Sequence, residues 1–97
     1  MLIEEDDLET ISSYLSKTEA SKASLFGSYA RGDADTASDL DILIEFSPSI
    51  SMLTFIRYKR ELEVLLGKKI DLLTPASISP YILPKIQKDL RLIYERK

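Results

Sequence analysis

Three aspartates, a Gly-Ser pair and one arginine hold most of the chemical potential of this 97-residue chain, which contains no cysteine and no histidine. Their absence removes thiolate nucleophiles, disulfides, the usual zinc sites and imidazole acid–base catalysis. Any chemistry must therefore run on carboxylates, hydroxyls and cations. Asp39 and Asp41 are two residues apart in a segment that alternates apolar and polar side chains. On a strand, that spacing puts both carboxylates on one face, about 6 to 7 Å apart along the backbone. Asp71 stands between Ile70 and Leu72 in a second such segment, so a neighbouring strand would bring a third carboxylate to the same face. Three like charges there resist joint ionisation unless divalent cations neutralise them. Oxygen donors with retained waters are what Mg²⁺ takes.

A solvated surface position is the default reading for any single aspartate. Asp, however, adds nothing to the β propensity of segments otherwise built from Leu, Ile and Phe, so the trio is read together as a candidate site. Glu45 shares the carboxylate face but lies near the end of its segment, and it is read as a surface residue. Gly27-Ser28 directly follows an apolar run. A glycine at a strand end lets the backbone approach a phosphate, which the next N–H and hydroxyl can then bind. Taken alone, the pair fits an ordinary turn better. Arg31 either neutralises phosphate charge or is a solvated loop residue, and both readings stay open.

The elements that must position these residues are visible as periodicities. Residues 4–16 are expected to form a packing helix, with Leu8, Ile11 and Leu15 on one face and acidic residues in the first turn, where the helix dipole favours them. Residues 22–26 form a short expected strand, closed by Gly27-Ser28 and by turn chemistry at Arg31-Gly32-Asp33. Residues 39–46 are the clearest strand: Leu40, Ile42, Ile44 and Phe46 face one way, and Asp39, Asp41, Leu43 and Glu45 the other. Residues 51–66 follow as a helix with Phe55, Ile56, Leu62, Leu65 and Leu66 supplying apolar contacts, and Gly67 is placed to end it. Residues 69–73 make a third strand. In the tail, Ile82, Ile86, Leu90 and Ile93 recur at helical spacing over residues 80–94, with Pro84 complicating the first turn. Strands separated by helices imply an α/β (α+β) fold, a small mixed sheet flanked by helices.

Length and composition agree with one domain over residues 1–97 and a single hydrophobic core. A hydrophobic fraction of 44% and a charged fraction of 30% are those of a globular protein and argue against disorder. No apolar run approaches the roughly 20 residues of a membrane span. The first residues are acidic where a secretory signal would be basic, so a cytoplasmic protein is expected. The net charge of −3 gives no global pull toward nucleic acid, despite local clusters at Arg57, Lys59, Arg60 and at Lys68, Lys69. Nucleic-acid binding is not expected.

The segments Leu25-Phe26-Gly27-Ser28-Tyr29-Ala30-Arg31-Gly32 and Ser38-Asp39-Leu40-Asp41-Ile42-Leu43 resemble the signature of the minimal nucleotidyltransferase family, within the DNA polymerase β-like superfamily. Lys69-Ile70-Asp71-Leu72-Leu73 stands where that family carries its third carboxylate, and the tail resembles its closing helix over residues 83–95. The resemblance implies a nucleotidyltransferase fold and transfer of a nucleoside monophosphate from a Mg²⁺-bound triphosphate, with ATP as donor. It implies that Asp39, Asp41 and Asp71 are catalytic metal ligands at a two-metal site and that Gly27, Ser28 and Arg31 hold the nucleotide. It further implies an antitoxin beside a HEPN-domain ribonuclease toxin, neutralised by AMP placed on a tyrosine. Two rivals remain: an antitoxin that occludes its toxin without catalysis, and a transferase acting on a small molecule or RNA. So short a chain has little room for a separate acceptor-binding domain, which favours a protein acceptor. Base specificity and oligomeric state are not written in any motif.

Overall fold

The structure is a computed structural model that describes residues 3–35 and 37–96. Along the chain run α1 (Glu5–Leu15), β1 (Ala20–Phe26), α2 (Gly27–Arg31), β2 (Leu40–Phe46), α3 (Met52–Leu66), β3 (Ile70–Leu73), a 3₁₀ turn (Pro75–Ser77), α4 (Leu83–Gln87) and β4 (Arg91–Glu95). The four strands form one mixed sheet in the order β3-β2-β1-β4. β1 is antiparallel to both β2 and β4, whereas β2 and β3 run parallel. This is the small mixed α/β fold expected from the periodicities.

The core follows directly from strand alternation. Leu40, Ile42 and Ile44 of β2, Leu25 of β1, and Ile70 and Leu72 of β3 are all buried in one cluster with Ile11 and Leu15 of α1 and Leu62 and Leu66 of α3. The two long helices therefore cover the sheet face opposite the aspartates. Ser51 caps the start of α3, its hydroxyl accepting the Thr54 N–H at 3.1 Å. Gly67 ends the helix in the left-handed region, donating its N–H to the Glu63 carbonyl at 2.9 Å. Leu62 is fully buried, so Leu62→Ala should cost about 2 to 5 kcal/mol, read as a lower urea midpoint with an unchanged slope.

Three expectations need correction. Ile56 and Leu65 are 41% and 54% exposed; Tyr58 is buried in their stead, meeting Tyr14 edge-on and stacking on Phe46. Gly27 and Ser28 are the first residues of the short helix α2, not of an open turn. The tail is not one helix. Helical spacing of apolar residues holds only through α4, and Arg91–Glu95 is a strand that pairs Leu25 with Arg91, Ser24 with Leu92 and Ala23 with Tyr94. Without β4 the backbone groups of β1 on that side would be an unpaired edge, and pairing them outweighs a local period that reads either way.

Candidate active site

Alternation that sends Leu40, Ile42, Ile70 and Leu72 into the core forces Asp41 and Asp71 onto the opposite face. The parallel pairing of β2 with β3 then sets Asp41 directly beside Asp71, with strand axes about 4.8 Å apart. On its other side Asp41 pairs with Phe26, the last residue of β1. Gly27 follows immediately and lies so close to Asp41 that a Cβ there would overlap the Asp41 carboxylate oxygen Oδ2 and stand 3.2 Å from Cγ. Its φ of +71° is also one that side-chain-bearing residues rarely adopt. Asp39 precedes β2 and is exposed, as is Asp71, while Asp41 is half-buried. Burial first, then repulsion from Asp71 and Asp39, pushes the Asp41 carboxyl up to about 6; nearby Arg31 opposes the shift.

The remaining sequence candidates sit on α2 and its exit. Phe26, at the N-cap of α2, offers no side-chain acceptor to the first N–H groups of the helix. Ser28 is half-buried, and its carbonyl accepts the Asp33 N–H at 3.0 Å. Arg31 does not stand free in solvent: Nε donates to Asp33 at 3.2 Å and Nη1 donates to Asp89 at 3.1 Å. Both carboxylates hold its guanidinium firmly protonated, Asp89 more strongly. Asp89 carried no sequence signal, since it lies in a segment that reads as surface helix and its partner is 58 positions away. Glu45 is exposed and pairs across the strands with Lys22, away from the trio.

The donor set suits a hard cation, being all carboxylate oxygen. Among the described residues, no three acidic side chains are already gathered as a metal cluster. Asp41 and Asp71 are therefore neighbours across the two strands rather than part of a converged cluster. A cavity of about 640 Å³ opens elsewhere, near the ends of β2 and β3, against Phe46, Met52, Phe55 and Pro75. Two of its hydroxyls, Ser51 and Ser77, are engaged in capping bonds. None of Asp39, Asp41 and Asp71 lines it.

The fold is that of a nucleotidyltransferase. The chain belongs to the polymerase beta nucleotidyltransferase family, whose pattern matches residues 9–97. A relative from Methanocaldococcus jannaschii, named as a candidate protein adenylyltransferase, is 49% identical over 65 residues, spanning 67% of this chain and 70% of the relative. Among solved structures, a toxin–antitoxin with AMP-PNP superposes with a TM-score of 0.79 at 20% identity, over 93% of this chain and 74% of the other. A tri-AMPylated Shewanella oneidensis HEPN toxin in complex with MNT antitoxin superposes with a TM-score of 0.75 at 17% identity, over 97% of this chain and 74% of the other. At those identities the two structures establish the shared fold. No described helix is long and apolar enough to cross a membrane.

Proposed function

We propose that the chain, acting as one domain in the cytoplasm, is a Mg²⁺-dependent protein adenylyltransferase that places AMP from ATP on a HEPN-domain toxin and so serves as its antitoxin. The observation that carries this reading is the abutment of Gly27 against Asp41 on a strand whose parallel neighbour aligns Asp71 with it. A backbone without a side chain and adjacent carboxylates then share one small area, as a metal-bound triphosphate requires. The adenylyl donor and protein acceptor are supported by the relative's name, and ATP and the toxin partner by the contents of the superposed structures.

In this reading Asp39 and Asp41 hold the ion on the triphosphate, and Asp71 with them holds a second. Bound there, Mg²⁺ supplies charge neutralisation on the phosphates and a more acidic acceptor hydroxyl. The N–H groups and hydroxyl of Gly27-Ser28, with Arg31, hold the β- and γ-phosphates so that the α-phosphorus faces the acceptor. The bond to the acceptor oxygen forms as the α–β phosphoanhydride breaks, and pyrophosphate leaves. Incubating the purified chain with a HEPN-domain toxin and MgATP should add the mass of one or more AMP groups to the toxin, and Asp39→Asn should remove that gain. Neutralisation that persists without ATP and with Asp39→Asn would instead mark an occluding antitoxin.

A further inference from the structure

Asp89 lies outside every motif, yet the fold delivers it to the edge of the site. Just past the end of α4, its N–H is tied to the Ile86 carbonyl at 3.0 Å. Two residues later Arg91 begins β4 opposite Leu25, one position before the Phe26 that pairs with Asp41. The β1–β4 register thus anchors Asp89 near α2. Its carboxylate takes Nη1 of Arg31 while Asp33 takes Nε, so two of the three guanidinium nitrogens are held from two separate elements. Among the described residues, Nη2 has no hydrogen-bond partner.

We propose that Asp89 is a positioning residue: it fixes the Arg31 guanidinium so that Nη2 is presented to the outer phosphates of the nucleotide. This rests on the nucleotide site proposed above. An arginine side chain free to rotate loses entropy when it binds phosphate; one already clamped on two nitrogens loses less.

The probes are MgAMP-PNP and AMP, with dissociation constants measured by calorimetry on the full chain. Asp89→Asn should weaken MgAMP-PNP about fivefold, the range of a partly exposed charged pair, and leave AMP within about twofold, because AMP lacks the outer phosphates. Asp89→Glu should restore most of the loss. In an Arg31→Ala background, Asp89→Asn should have no further effect, since a positioning residue acts only through the group it positions. A loss shared equally by AMP, a loss that persists without the Arg31 side chain, or tighter MgAMP-PNP binding would each overturn the assignment, the last by making Asp89 a competitor for Arg31. If the unsubstituted chain binds no MgAMP-PNP, the nucleotide site itself is wrong, a separate and earlier failure.

Discussion

Asp41→Asn should cut nucleotide transfer on the order of a thousandfold and, at neutral pH without metal, make the protein more stable. Both effects have one cause. Burial and the neighbouring Asp71 and Asp39 raise the Asp41 carboxyl to about 6, against about 3.9 in an unfolded chain. As pH rises from about 4 to 6, the unfolded chain releases a proton that the folded chain keeps. Folding stability therefore falls through that window and stays lowered above it. Full linkage would amount to about 3 kcal/mol, but Asp41 is only half-buried and solvent screens much of it, leaving about 1 kcal/mol.

An asparagine at this position carries no charge and removes the penalty. In EDTA at pH 7.5 the substituted protein should unfold at higher urea than its parent, by about 1 kcal/mol, and the gap should nearly close at pH 4. Added Mg²⁺ should stabilise the parent and leave the variant unmoved, because an ion that binds only the folded state adds to its stability. Transfer from α-labelled ATP should drop on the order of a thousandfold. Retained transfer, or a variant less stable than its parent at pH 7.5, would sink the account of Asp41 as a destabilising, function-bearing carboxylate. A stabilising mutation that removes activity is the pattern expected where a site holds strained charge.

Much of this site was legible because the information is local. A period of two in Leu40, Ile42 and Ile44 declares which face of β2 is core, and it assigns Asp41 to the other face before any partner is known. The same holds for Asp71 between Ile70 and Leu72. Gly67 closes α3 where the apolar pattern stops, again a local signal. What escaped depended on distant pairing. Ile82, Ile86, Leu90 and Ile93 fit a helix, but Arg91–Glu95 is equally fit to be a strand, and the choice falls to β1, about 70 residues earlier in the chain. Asp89 was hidden for the same reason, since its role exists only once β4 has carried the tail back to α2. The Gly-Ser pair was half legible: its closeness to a strand end was plain, but not that the glycine lies against one particular carboxylate.

That contact sets up the second large effect, a comparison of two glycines. Gly27 and Gly67 both have positive φ, at +71° and +63°. Replacing either by alanine imposes the left-handed conformation on a residue with a Cβ, at a cost of about 1 to 2 kcal/mol. The surroundings differ. At Gly67 nothing lies within 4 Å of the added carbon, whereas at Gly27 it falls on Asp41 Oδ2 with Cγ and Cβ close behind. Asp41 can yield only by turning its carboxylate away, which disturbs the pairing with Asp71 and any ion held there. Both variants should therefore lose stability in urea, Gly27→Ala by at least as much as Gly67→Ala, yet only Gly27→Ala should lose transfer, by about a hundredfold. Equal transfer by the two variants would show that Gly27 is a turn glycine and nothing more. A transfer loss confined to Gly27→Ala would tie the backbone of α2 to the chemistry of the aspartates.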